Sequence, residues 1–285
     1  MSGVQQNGAM TRGWLVPGVL AAFLLSGALS AVFLKTSESV RRSQAYNQAR
    51  QLAAAVAHDL GERLDRSLSA SYALATLVRQ GRGRIENFEA LASEMIRVYG
   101  GISALQLAPG GVISQVVPLA GNEPVIGFSP LRDPKQGPET QRVVESRGLG
   151  LTGPFDLKQG GIGVLGRYPI FIEDERGREY FWGLTQVLVR IPDLLAATRL
   201  SAIGEGGYSY ELWRLRPADS SLHVFARGGD DVLVDPVVVP IGVPNGQWFL
   251  SVAPTGGWGL GRDFTGELGV AFAFCCLVTL ATWLL

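Results

Sequence analysis

Two uninterrupted apolar segments bracket this chain, and they constrain its fold more than any other feature. The first runs from Trp14 to Leu34 without a charged side chain and is flanked by Arg12 and Lys35. The second runs from about Leu268 to Leu285. A hydrocarbon core about 30 Å thick takes about 20 apolar residues at 1.5 Å each. The first segment meets that length. The second reaches 18 residues, and the chain stops there without a basic flank. The expected layout is a tail over residues 1–13, a membrane span over 14–34, a soluble region of roughly 230 residues, and a second span over 265–285. The abrupt end leads us to expect further sequence beyond residue 285.

The first segment reads as an uncleaved anchor. Ala28-Leu29-Ser30 is a weak small-residue cleavage signature, but the apolar run exceeds the 7 to 15 residues of a signal-peptide core. The flanking charges point the soluble region toward the cytoplasm: Arg12 precedes the span, whereas Lys35, Arg41, Arg42 and Arg50 follow it.

Charged residues make up 18% of the chain, below the usual quarter, as two spans require. The formal net charge of zero gives no electrostatic pull toward nucleic acid. The only cysteines, Cys275 and Cys276, fall in the second apolar segment, so the soluble region has neither a disulfide framework nor a thiolate metal site. With His58 and His223 as the only histidines, there is almost no raw material for a histidine metal site or a Ser/His/Asp triad.

Residues 36–80 read as one long helix. Ala45, Ala49, Leu52, Val56, Leu60, Leu64 and Leu68 recur at spacings of three and mostly four, which draws one apolar stripe. Such a stripe needs cover, either from a second copy in a parallel dimer or from the chain's own domain. Gly81-Arg82-Gly83 breaks the helix, and a shorter amphipathic helix follows over residues 85–98. The period then shifts to that of strands. We expect strands at 102–107, 112–119, 149–156, 166–172 and 180–190, with helices at 136–147 and 192–200. A second set of strands is expected at 208–215, 222–226, 237–243 and 247–253. The class is therefore α+β: two small lobes in series, residues 81–200 and 201–262.

Gly161-Ile162-Gly163-Val164-Leu165-Gly166 spells G-x-G-x-x-G. A dinucleotide site needs a helix to begin after that loop, so that its N-terminus meets the pyrophosphate. Arg167-Tyr168-Pro169-Ile170-Phe171-Ile172 follows instead, which reads as strand. His58-Asp59 on the long helix lacks the downstream features of a phosphoacceptor and reads as solvated. Asp230-Asp231, in a glycine-rich turn, reads the same way. No acid/base pair can be placed by sequence, and no cofactor or metal is implied.

From Ile102 to Leu200 the chain resembles the CHASE domain, the extracytoplasmic sensing module of cytokinin receptors and of bacterial sensor histidine kinases and diguanylate cyclases. The resemblance is carried by an ordered series. It comprises Ile102-Ser103-Ala104-Leu105-Gln106-Leu107, Pro118-Leu119-Ala120-Gly121-Asn122-Glu123, Leu151-Thr152-Gly153-Pro154-Phe155-Asp156-Leu157, Gln159-Gly160-Gly161, Gly166-Arg167-Tyr168-Pro169-Ile170-Phe171 and Phe181-Trp182-Gly183. It implies a stalk helix carrying two tandem PAS-like lobes, flanked by two membrane helices. It also implies a parallel homodimer, an extracytoplasmic soluble region that overrides the flank count, and a small-molecule ligand in the membrane-distal lobe. The pocket it implies would be lined by Phe128, Leu151, Thr152, Pro154, Phe155, Leu157, Gln159, Arg167 and Tyr168. Thr152 would offer a hydroxyl, Phe155 and Leu157 apolar wall, Gln159 an amide, and Arg167 a bidentate contact to a ligand anion. Ile126-Gly127-Phe128-Ser129-Pro130 lacks the aspartate with which plant receptors hold adenine, so a cytokinin is not expected.

The expectation is a non-catalytic input module of a multi-pass inner-membrane receptor whose output domain lies elsewhere. The rival is a membrane-tethered domain that binds a protein partner. A large apolar pocket with a few inward polar groups would favour the sensor. A filled lobe with an exposed apolar patch would favour the rival.

Overall fold

The computed structural model describes residues 12–229, 232–258 and 264–284. Asp230 and Asp231, most of the N-terminal tail and the 259–263 connection lie outside the described residues. Helix α1 spans Arg12–Gln80 and α2 Phe88–Tyr99. Strands β1 (Ala104–Pro109) and β2 (Gln115–Val117), a short 3-10 turn (Glu123–Val125) and α3 (Gly137–Ser146) follow. Next come β3 (Gly150–Asp156), β4 (Ile162–Glu173), β5 (Glu179–Arg190), α4 (Ile191–Ala197) and α5 (Ser201–Glu205). The last elements are β6 (Tyr208–Leu215), β7 (Leu222–Gly228), β8 (Val237–Val243), β9 (Gly246–Pro254) and α6 (Phe264–Leu284).

The chain falls into two units. One comprises residues 49–255, the other residues 1–48 with 256–285. In the larger unit the strands form two antiparallel sheets, a first one, labelled distal after the lobe expected from the sequence, ordered β2-β1-β5-β4-β3 and a second ordered β7-β6-β9-β8. The expected strands are all present. β4 begins earlier than its period suggested, because Gly163 still pairs with Arg190 across to β5.

The apolar stripe of α1 finds its cover here. Ala53, Val56, Leu60, Leu64, Leu68, Leu74 and Val78 are buried in one cluster with Leu105, Val164, Ile170, Val187 and Val189 of the distal sheet and with Leu212, Ile241, Trp248 and Leu250 of the second. Over residues 49–78 the stripe therefore packs on the chain's own sheets, and it does not call for a second copy. His58 points to solvent on the opposite side.

Strand alternation sorts the distal sheet into two faces. Val187 and Val189 join the α1 cluster, whereas Leu184 and Leu188 join a second cluster with Ala104, Ala108, Leu165 and Val125. The α1 face is very close: a Cβ on Gly166 would lie 2.2 Å from Leu68 Cδ2. Gly163 is hemmed in by Leu157, Leu188 and the Val189 carbonyl, and Gly161 takes φ +77° in the β3–β4 turn. The three glycines of the G-x-G-x-x-G motif thus serve a turn and two tight packing contacts within β4, where no helix begins.

In the smaller unit both helical segments carry exposed large apolar side chains, among them Leu25, Phe33, Val270 and Phe272. Ser30 Oγ lies 3.7 Å from Cys275 Sγ, and the Tyr46 and Trp258 rings are 5.4 Å apart. Among the described residues α1 is the one helix long and apolar enough to cross a membrane by length and composition. The apolar core of α6, Gly269–Ala281, is shorter.

Candidate ligand-binding site

The second face of the distal sheet carries a row of polar residues at matched register. Gln106 on β1 pairs with Gln186 on β5, and Gln186 pairs with Arg167 on β4. The row ends on β3 at Gly150. There the missing side chain admits Val143 of α3, whose Cγ2 would lie 2.3 Å from a Cβ at that position. Helix α3 thereby closes over the end of the row, and the Asp133 carboxylate fixes its entry by accepting from the backbone N–H groups of Lys135 and Gln136 at 2.9 Å.

Arg167 is fully buried. Its Nε donates to Gln186 Oε1 at 2.8 Å, and its Nη1 donates to Thr140 Oγ1 at 2.5 Å and to Thr152 Oγ1 at 2.8 Å. Its Nη2 donates to Gln136 Oε1. Every one of these acceptors is neutral. Thr152 passes its own proton to the Leu165 carbonyl at 3.1 Å. Burial pulls the Arg167 pKa down to about 9, opposed by the carboxylates of Glu139 and Asp133. The guanidinium therefore remains charged at neutral pH.

Beside it lies a cavity of about 20 Å³ lined by Gln106, Phe128, Gln136, Leu157, Lys158, Gln159, Leu165, Arg167 and Gln186, with Ile113 and Val125. Two buried polar atoms of the lining residues have no partner: Gln106 Oε1 and Gln186 Nε2. Lys158 is exposed at the rim, its Nζ 5.3 Å from the Phe128 ring centre. Gln159 Nε2 donates to Asn122 Oδ1 at 3.2 Å, which ties the β3–β4 turn to the loop that carries Phe128.

Of the nine residues proposed from sequence, Phe128, Leu157, Gln159 and Arg167 line this cavity. Thr152 supports Arg167 from behind. Phe155 packs at the edge of the second cluster, and Pro154 is buried in β3 beside a register shift. Leu151 and Tyr168 lie among the α1-side residues, because alternation turns them to the opposite face from Thr152 and Arg167. Tyr168 meets Tyr72 edge-on at 5.2 Å, with the Arg79 guanidinium 5.4 Å from its ring centre. The bidentate role expected of Arg167 is not free. A guanidinium has five N–H donors, and four are already engaged. Sequence reading missed Gln106, Gln136, Lys158 and Gln186. Gln106 and Gln186 did leave a signal: each is a lone amide inside an otherwise apolar strand.

Two side chains, Glu139 and Asn245, link α3 and β3 to the second sheet. Glu139 Oε2 accepts from the Gly153 N–H at 3.0 Å, and its Oε1 accepts from Arg214 Nη2 at 2.7 Å. The Leu151 N–H donates to Asn245 Oδ1, in the β8–β9 turn, at 2.8 Å.

The architecture is a long helix backing two antiparallel sheets, with a small buried cavity on the far face of the first. The CHASE domain family model matches residues 62–206, so the chain belongs to the CHASE domain family, the sensory modules of signalling receptors. Among solved structures, it is similar to an extracellular ligand binding receptor from Desulfohalobium retbaense. The identity is 16% and the TM-score 0.54, with 72% of this chain and 40% of the receptor covered. It is also similar to the sensory domain of the Campylobacter jejuni chemoreceptor Tlp3, at 12% identity and TM-score 0.47, covering 79% of this chain and 98% of that domain. The fold comparison rests on the first of these; the chain spans less than half of that receptor's length. No curated protein matches the chain.

Proposed function

We propose that this chain is the extracytoplasmic ligand-sensing part of a multi-pass inner-membrane receptor, with the small molecule held in the distal lobe, residues 81–200. The observation that carries this reading is the polar cavity at Arg167, where two buried amide atoms of the lining residues lack partners. Buried polar groups are almost always satisfied, and exceptions concentrate where function requires them. Membership of the CHASE family supports it, as does the direct hydrogen bonding from α3 and β3 into the second lobe, residues 201–262. In this reading both lobes are PAS-like, and α6, within residues 265–285, forms a second span. It leads toward an output domain of histidine kinase or diguanylate cyclase type outside this chain. The chain itself is the non-catalytic input. A parallel homodimer would use the α1 segment before residue 49, where Val40 is half exposed.

Purified full chain in lipid nanodiscs, screened by thermal shift against small metabolites, tests the sensing role. A ligand whose effect disappears in Thr152→Val but survives in Glu205→Gln supports the site. A screen without any stabilising compound would sink the proposal. For location, a membrane-impermeant thiol reagent should label Ala218→Cys, in the exposed β6–β7 turn, in intact spheroplasts of a Cys275→Ser, Cys276→Ser background. Labelling only after lysis would place the lobes in the cytoplasm.

One observation favours the partner-binding rival. An open groove of about 840 Å³ lies between α2 and the edge strand β2, lined by Phe88, Val116, Leu119 and Ile126 among others. Leu119 and Ile126 are about half exposed. The cavity at Arg167, in contrast, is small and polar, unlike the large apolar pocket that would have decided for a sensor. Cross-linking of the full chain in membranes through a photoreactive group at Leu119 would separate the two, since a partner gives a discrete adduct there.

A further inference from the structure

We propose that the cavity at Arg167 receives a small carboxylate that carries a hydrogen-bond donor on the adjacent carbon, as an α-hydroxy acid does. This rests on the reading that the distal lobe binds a small molecule, and it adds the chemical class.

The cavity has a buried cation and no anion touching it. All four engaged N–H groups of Arg167 go to uncharged oxygens, and among the described residues no carboxylate oxygen forms a salt bridge with it. A charge removed from water is costly unless it is paired. Thr140, Thr152, Gln136 and Gln186 supply dipoles, which orient the guanidinium without neutralising it. Glu139, whose carboxylate could have filled the gap, is committed to Arg214 and to the Gly153 N–H. At the rim Lys158 adds a second positive charge. Glu139 and Asp133 offset part of the Arg167 charge without lining the cavity, so the charged groups that do line it, Arg167 and Lys158, favour an anion there.

Hydrogen-bond arithmetic narrows the class. Arg167 retains one of its five donors, on Nη2. Gln186 Oε1 is taken by Arg167 Nε, which fixes the amide's orientation and leaves Nε2 as a donor without a partner. These two donors lie on neighbouring strands at paired register and can meet the two oxygens of one carboxylate. On the other side of Gln186, also at paired register, Gln106 Oε1 is a buried acceptor without a partner. It asks for a donor on the ligand. Two donors, one acceptor and net positive charge together describe a carboxylate next to a hydroxyl. The volume of about 20 Å³ holds roughly one water-sized group. Even a short ligand therefore enters only if the Phe128 loop and the β3–β4 turn, which Gln159 joins to Asn122, move outward. An inorganic phosphate is tetrahedral, so its oxygens do not present the planar pair that the Arg167 and Gln186 donors would meet.

The test uses the full chain in nanodiscs at constant ionic strength, with glycolate, acetate, glycolamide and inorganic phosphate as probes in calorimetric titration. Glycolate should bind, acetate about tenfold more weakly because it leaves Gln106 unpaired, and glycolamide and phosphate not measurably. Gln106→Met removes an orphaned oxygen, so this variant stays folded. It should bind glycolate and acetate equally. Glycolamide binding as well as glycolate would overturn the proposal, and so would Gln106→Met retaining the preference for glycolate. If a neutral metabolite stabilises the chain while none of the carboxylates binds, the carboxylate assignment falls and the sensing role stands. If no compound of any charge binds, both fall.

Discussion

Glu139 on α3 and Arg214 on β6 tie the cover of the first sheet to the second sheet through a buried ion pair, Oε1 to Nη2 at 2.7 Å, with side chains 13% and 8% exposed. Because Glu139 on α3 is three residues after Gln136 and next to Thr140, both of which hold Arg167, the pair lies within one helical turn of the candidate site. Removing one member of a buried pair strands the other charge, at a cost of roughly 3–5 kcal/mol. Glu139→Gln should therefore lower the unfolding midpoint markedly. Glu139→Gln with Arg214→Met should recover most of the loss. A double variant as unstable as the sum of the single ones would show that the two charges act independently.

The contact between Gly166 and Leu68 leaves no room for a methyl group. Gly166→Ala should cost about 1–3 kcal/mol through overpacking, read as a lowered denaturant midpoint. Adding Leu68→Val, which withdraws the colliding methyl, should return part of it. Equal stability of Gly166→Ala and the parent chain would show that α1 and the sheet can separate at this point.

Thr152→Val keeps the shape of the side chain and removes one of the oxygens on Arg167. Hydrogen bonds to charged groups contribute about 1.5–3 kcal/mol, so the variant should be destabilised by about that amount. Its glycolate affinity should also fall, because the guanidinium loses a point of fixation. Unchanged affinity in a folded Thr152→Val protein would separate Thr152 from the site.

Burial sets the Arg167 pKa near 9, which gives two opposite pH dependences. Carboxylate affinity should be flat from pH 6 to 8 and fall above about 9, as the cation is lost. Glu139 and Asp133 resist that loss. The ligand-free fold should behave in the reverse sense. The folded-state pKa lies below the ordinary arginine value, so the unfolded chain binds more protons above pH 9, and this group's contribution to stability rises with pH there. Calorimetric titration and chemical unfolding between pH 7 and 10 check both slopes.

The strands and helices of the soluble region were legible because their periodicities are clean. Leu60, Leu64 and Leu68 repeat every fourth residue, and Val187 and Val189 alternate with Leu184, Gln186 and Leu188. The site was half legible. Thr152 and Arg167 were found by resemblance, but their partnership was not, since it depends on Thr140 and Gln136 arriving from α3. Leu151 and Tyr168 were included because they neighbour those residues in sequence, yet in a strand the next residue faces away. Gln106 and Gln186 could have been found by asking why a single amide interrupts an apolar strand. Their pairing is a matter of register between β1 and β5, 80 positions apart. Nor could sequence alone say what covers the stripe of α1, because a periodic stripe looks the same whether a second helix or a sheet lies over it.

The distal sheet is held differently on its two sides. Toward α1 it is seated on bare glycine, with Thr185 also in contact with the Ser71 carbonyl at 3.5 Å, and such a joint has no play. Toward the cavity it meets a loop, a turn and a short helix, the helix held by hydrogen bonds from Arg167 to Thr140 and Gln136 and from the Gly153 N–H to Glu139. If a molecule enters the cavity as proposed, α3 and the β3–β4 turn are the elements it meets, and Glu139 links α3 to Arg214 of the second sheet. Substitutions around Phe128 and Gln159 should therefore be better tolerated than any side chain added at Gly166, whose Cβ would meet Leu68.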